Sequence, residues 1–239
     1  MLPWHLLWDL QSYGLVPNGT TTLPWVTYWR YVIVWSFLLV AGISCRFSKS
    51  SLKRALRLLV ISLGITVVGY VINTPIWFGI LHLQSCCLLF YTLAEDKIGK
   101  VKPWLGLVFS LALFFICDHY ITPLRVETSW FIPLGFRTRA FYSADYYPIL
   151  PWSFLFWAGC FLVNNLKGIT KRVLFNGEEL TGWTTTGLPL HRADVNDFRF
   201  PKLRYEGNLP GWVTWPGRHA LIIYILHQPL FMLVLELVM

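Results

Sequence analysis

VTYWRYVIVWSFLLVAGISC, residues 26–45, is followed closely by Arg46, Lys49, Lys53, Arg54 and Arg57 with no acid among them. Apart from Arg30 the stretch carries no charge. A helix of roughly 20 residues rises about 30 Å, the thickness of a bilayer's hydrocarbon core. Basic residues gathered at one end mark the cytoplasmic side of such a helix. The stretch therefore reads as a transmembrane helix running inward, and the rest of the chain repeats its pattern. Apolar runs at residues 55–72, 75–94, 103–119 and 147–166 give four more interior spans, and residues 217–238 close the chain with another. Residues 1–10 are apolar and aromatic but too short to span, and they read as the last turns of a truncated N-terminal helix. The expected fold is all-α: a polytopic transmembrane bundle of about six full spans plus that partial helix, residues 1–239 forming a single domain.

Composition agrees. Only 13% of the residues are charged and 55% are hydrophobic, with 13 tryptophans; a soluble domain is about a quarter charged. The net charge of +8 does not point to nucleic acid, because the basic residues border apolar helices. Lys97, Lys100 and Lys102 follow the third span, and Lys167, Lys171, Arg172, Arg192, Arg199, Lys202 and Arg204 follow the fifth. These loops belong to the cytoplasm with the first basic cluster. Residues 11–25, the tight Asn73-Thr74 turn, residues 120–146 and the C-terminus then fall on the extracytoplasmic side. The cytoplasmic loop at residues 167–216 has no helical period and is expected to hold short strands or irregular structure. No cleavable signal pattern opens the chain. Cys45, Cys86, Cys87, Cys117 and Cys160 lie in or at the ends of apolar runs, form no C-x-x-C, and read as packing residues.

Polar groups within apolar spans are costly and mark bundle interiors or function. His5 and Asp9, four apart, share a helix face, the arrangement of a base and the carboxylate that orients it. A polar helix end solvated by headgroups is the plain alternative. His82, in Phe78-Gly79-Ile80-Leu81-His82-Leu83-Gln84, and His227, in Tyr224-Ile225-Leu226-His227-Gln228-Pro229, each have an amide within two positions. They point to a buried polar pocket, or singly to helix-bonded neutral imidazoles. Asp145, opening Asp145-Tyr146-Tyr147-Pro148, either caps the fifth span or binds a polar acceptor. Arg125, Arg137 and Arg139 share its loop and can attract anionic groups. Arg30 is placed to snorkel, and Arg218 to anchor the last span. No metal is expected, since no His pair or thiolate cluster has ligand spacing. Asn18-Gly19-Thr20 is a glycosylation sequon of little weight here.

Four ordered segments carry a family likeness. They are residues 36–44 (SFLLVAGIS), Phe78-Gly79-Ile80-Leu81-His82, residues 145–152 (DYYPILPW) and residues 217–229 (GRHALIIYILHQP). With them the chain resembles the bacterial relatives of heparan-alpha-glucosaminide N-acetyltransferase, within the wider clan of transmembrane acyltransferases. The resemblance runs from about His5 to the C-terminus. It implies a bacterial plasma-membrane enzyme that takes an acetyl or other acyl group from cytoplasmic acyl-CoA. The acceptor would be an extracytoplasmic sugar hydroxyl or amine. His5 matches the family's candidate catalytic histidine. The family's Asp-x-x-Arg-Gly segment, earlier in the same helix, has no match here. On this reading His5, oriented by Asp9, deprotonates the acceptor or carries the acyl group as an acyl-imidazole. His82, Asp145, His227, Gln228, Arg137 and Arg139 bind substrate, and Arg218, Lys171 and Arg172 meet the nucleotide. The competing reading is a transporter or flippase whose histidines line a path for protons or a lipid-linked sugar. Discontinuous helices in matching halves would favour it, and none is evident. The sequence leaves a homodimer open.

Overall fold

The computed structural model describes residues 2–45, 50–98, 100–175, 183–185, 203–205, 215 and 219–238. Seven α-helices follow one another among them: α1 (Leu2–Ser12), α2 (Pro24–Cys45), α3 (Ser51–Val71), α4 (Ile80–Ile98), α5 (Pro103–Tyr120), α6 (Ile149–Phe175) and α7 (Ala220–Val238). Short 3-10 turns stand at Thr20–Thr22 and Ser129–Leu134, and three-residue strands at Trp183–Thr185 and Leu203–Tyr205.

Local chemistry sets the ends of these helices. Ser50 caps α3 by accepting from the Lys53 N–H, and Pro103 opens α5, where its missing N–H costs nothing. The turn from α3 to α4 closes through Asn73 at φ 56°, a left-handed position that asparagine tolerates, and the Thr74 N–H bonds the Gly69 carbonyl at 2.8 Å. α2, α3, α5 and α7 are long and apolar enough to cross a membrane. The apolar helices Ile80–Glu95 and Ile149–Leu162 fall short of that measure. The outer surfaces carry the residues that a soluble protein hides: Val60, Val67, Val71, Leu93 and Phe109 are 63–81% exposed. Apolar surface on this scale needs lipid against it. The chain is an integral membrane protein.

The chain divides into two compact units, Met1–Ser36 with Tyr205–Met239, and Phe37–Arg204. In the larger unit α5 packs on α6, α3 on α4, and α4 on α6. Leu38, Ile80, Leu83, Tyr91, Phe114 and Phe156 are among its fully buried side chains. The C-terminal half of α2 lies against α6 backbone to backbone. A Cβ on Gly42 would run into the Phe156 carbonyl, and one on Gly159 into the Leu39 carbonyl. Small residues allow this approach where helices associate by packing alone. Cys45 and Cys160 fill the same seam, their sulfurs 3.2 Å apart and both on the Gly42 carbonyl.

Several boundaries differ from those read in the sequence. The third span does not begin at residue 75. Residues 75–79 are extended, and their backbone bonds to the segment before α6. The Ala144 N–H bonds the Pro75 carbonyl at 2.9 Å, and the Tyr147 N–H bonds the Phe78 carbonyl at 2.8 Å. The Trp77 N–H donates to Ser143 Oγ at 3.2 Å. With these groups satisfied from outside, the helix starts only at Ile80. At the other end of the larger unit, α6 runs to Phe175, so residues 167–175 are helical rather than loop.

Candidate active site

In the smaller unit α1 and α7 are in contact and run in the same direction. His5 meets His227, and the Tyr13 hydroxyl lies beside the Glu236 carboxylate further along both. The two imidazoles meet edge to face with ring centroids 4.7 Å apart. His227 is buried, and His5 is half-buried. His227 Nδ1 lies 2.6 Å from the Tyr224 carbonyl and 3.2 Å from that of Ile223. Carbonyls only accept, so Nδ1 carries the proton and Nε2 of the neutral ring bears the lone pair. That Nε2 is buried and has no hydrogen-bond partner among the described residues. Tyr224 and Phe231, at 5.6 and 5.9 Å, wall the ring on its own helix.

Asp9 is buried on the same helix as His5. Arg30, expected to snorkel, lies over aromatic faces, 5.5 Å from the Trp4 ring centroid and 5.6 Å from that of Tyr31. Trp4 precedes His5, so a cation–π contact ties α2 to the histidine-bearing helix. This contact has no periodic signal in the sequence.

His82 and Asp145 meet at the first turn of α4, in the larger unit, and their bonds face inward. The Gly79 N–H donates to His82 Nδ1 at 3.3 Å. His82 Nε2 lies 3.2 Å from Thr66 Oγ1, whose hydroxyl donates to the Ile76 carbonyl at 2.7 Å. Nδ1 therefore accepts, Nε2 carries the proton, and every polar atom of the His82–Thr66 pair is engaged. Thr66, in the middle of α3, was not singled out by the sequence; a hydroxyl in an apolar run is its only signal there. Asp145 does not cap α6, as one reading had it. Its Oδ2 accepts from the Ile80 N–H at 3.0 Å and so caps α4 from a distant loop. Gly79 makes room for this, since a Cβ there would strike Asp145 Oδ2. Burial raises the Asp145 carboxyl from 3.8 to about 6, and the Ile80 N–H works against that rise.

Arg137 bonds the Thr122 carbonyl through a terminal nitrogen at 2.8 Å, while Arg139 is exposed in the same loop. Lys171 and Arg172 are in α6 and Gln228 follows His227 in α7. The side chains of these three, and all of Arg218, lie outside the described residues. Among the described residues no cluster of three or more His, Cys, Asp or Glu side chains is set to hold a metal.

Similarity to known proteins agrees with the resemblance in the motifs. The family described as "Heparan-alpha-glucosaminide N-acetyltransferase, catalytic" matches residues 1–183. No curated protein and no solved structure is similar enough to match. The match takes in α1 to α6, with His5, His82 and Asp145, and it covers well over half of the chain. The chain belongs to the family of heparan-alpha-glucosaminide N-acetyltransferase catalytic domains.

Proposed function

We propose that this chain moves an acetyl or other acyl group from acyl-CoA on the cytoplasmic side to a sugar hydroxyl or amine across the membrane. Family membership supports acetyl transfer, and the apolar helices support a membrane setting. The observation that carries the reading is the His5–His227 pair. Two imidazoles meet in a desolvated place, and one of them keeps an unshared ring nitrogen.

The chemistry follows from that arrangement. The acceptor's oxygen or nitrogen attacks the thioester carbonyl carbon, and its proton passes to His5. The carbon–sulfur bond breaks, and the proton returns from His5 to the departing thiolate of coenzyme A. A positioned base of this kind contributes about 10²- to 10⁴-fold. His227 faces the ring of His5 and limits its orientations, and Asp9 on the same helix supplies negative charge near the imidazolium as it forms. Arg218, Lys171 and Arg172, with the other basic residues of that side, suit the phosphates of the nucleotide. Gln228, Arg137 and Arg139 are assigned to the acceptor. His82 and Asp145, committed to the first turn of α4, hold that end of the bundle in shape rather than touch the reacting atoms. On this reading the chain makes about six crossings, α4 and α6 included, and its C-terminus lies outside a bacterial plasma membrane. At 19 residues α4 rises about 28 Å, close to the hydrocarbon thickness.

Protein reconstituted in nanodiscs, given acetyl-CoA and amino sugars, should release free coenzyme A thiol in step with acetylated sugar. His5→Ala should lower that rate by at least about 100-fold. Full turnover by His5→Ala would remove the assignment of His5 as base.

A further inference from the structure

The loop joining α5 to α6 brings two guanidinium groups onto one carbonyl. Arg125 donates through one terminal nitrogen to the carbonyls of Thr122, Pro123 and Leu124, at 3.0, 3.0 and 2.9 Å. Arg137 donates to the same Thr122 carbonyl at 2.8 Å. Two nitrogens on one oxygen lie no more than about 6 Å apart, so two like charges are held side by side. The backbone enforces this: residues 125 and 137 form a parallel bridge, and the Val126 N–H bonds the Arg137 carbonyl at 3.0 Å. Burial and the charge of Arg125 both weaken Arg137's hold on its proton.

No carboxylate among the described residues answers the pair. Asp118, one turn earlier, accepts from the Thr122 hydroxyl at 3.4 Å, and Asp145 is committed to Ile80. Glu127, between the two arginines in sequence, is exposed and bonds neither. The Tyr146 hydroxyl stands near both cations but donates to the Ile132 carbonyl at 2.6 Å. Burial raises it to about 12, so it adds no negative charge. Nε and the second terminal nitrogen of each arginine make no hydrogen bond among the described residues. Arg125 is exposed and Arg137 half-buried, so those donors are open to a ligand.

We propose that Arg125 and Arg137 form an oxyanion clamp that takes a carboxylate, sulfate or phosphate group. Three carbonyls fix the forks, and the free N–H groups with two uncompensated charges supply the attraction. The anion comes either from an acidic sugar in solution or from a lipid headgroup at the end of α5. The clamp shares Arg137 with the acceptor site proposed above, but its test reads binding rather than turnover, so the two readings can fail separately.

The whole protein is titrated in detergent with sulfate, glucuronate and phosphate, at ionic strength held constant with chloride. Its thermal midpoint is followed. A parallel arm compares nanodiscs of phosphatidylcholine with and without phosphatidylglycerol. A saturable rise in midpoint with a soluble oxyanion is expected, reduced at least tenfold in apparent affinity by Arg125→Gln and by Arg137→Gln. A rise confined to phosphatidylglycerol discs, with the same arginine dependence, supports the clamp and assigns it to a headgroup. Should either glutamine variant not fold, Arg125→Lys, which keeps charge but loses the fork, is expected to bind more weakly than wild type. No oxyanion-specific rise for wild type in either arm overturns the proposal. So does a rise that survives in both folded glutamine variants, or undiminished binding by Arg125→Lys where it stands in for them.

Discussion

His82 and His227 both sit in apolar helices, and they differ in how their ring nitrogens are used. His82 is closed: Gly79 donates to one nitrogen and Thr66 stands at the other. Removing such a ring leaves the Gly79 N–H without its acceptor and takes away the donor to the Thr66 hydroxyl. His227 is half open: one nitrogen is bonded to its own helix, the other is buried beside His5 without a partner among the described residues. An unshared nitrogen in a desolvated place is expensive to keep, and a fold gains nothing from it. The comparison teaches that burial of a histidine does not separate structure from chemistry. The number of its engaged nitrogens does.

The comparison can be broken in several ways. Between these two histidines the larger effect on rate is expected at the open ring. His227→Ala should lower acetyl transfer about 10- to 100-fold at unchanged protein yield, measured as coenzyme A release per folded molecule. A drop explained wholly by lost folding would place His227 with His82. Next is the room that Gly79 leaves for Asp145. Gly79→Ala puts a Cβ into the carboxylate, and the cost should be about 1–3 kcal/mol in detergent unfolding. The same change should cost less in an Asp145→Ala background, because the two residues touch. Equal cost in both backgrounds would show that the crowding lies elsewhere. His82→Ala should destabilise by about 1–3 kcal/mol through its orphaned partners, yet leave the rate per folded molecule within about twofold.

The smallest effect concerns pH. The folded Asp145 carboxyl holds its proton up to about 6, whereas the unfolded chain releases it near 3.8. Between those values the folded state binds more protons, so this group's contribution to stability falls as pH rises through the window and is level above it. A melting series from pH 4 to 7 should show a shallow decline for wild type that Asp145→Asn removes. Identical slopes would mean that the carboxyl is not desolvated.

The long apolar runs and the basic loops between them were legible because lipid imposes length and charge rules on every span. Residues 26–45, 103–119 and 217–238 became helices within a few residues of their expected ends. The late start of α4 was not legible. The groups that keep residues 75–79 extended, Ser143, Ala144 and Tyr147, lie far along the chain. Asp145 was seen as a cap, but its own helix was the natural guess; the partner came from tertiary structure. The polar residues of the site stood out individually by their cost in apolar runs. Their grouping did not: nothing in spacing pairs His5 with His227, or divides that pair from His82 and Thr66. The side-by-side arginines were hidden for the same reason, since a loop bridge has no period.

The central claim is that the open histidine pair carries the chemistry and the closed one carries the fold. Single-turnover acetyl transfer from acetyl-CoA by His5→Ala and His82→Ala, side by side in nanodiscs and normalised to folded protein, tests it most directly. The account predicts at least about a 100-fold loss for His5→Ala and a near-wild-type rate for His82→Ala. Equal losses in both, or an undiminished rate for His5→Ala, would contradict it.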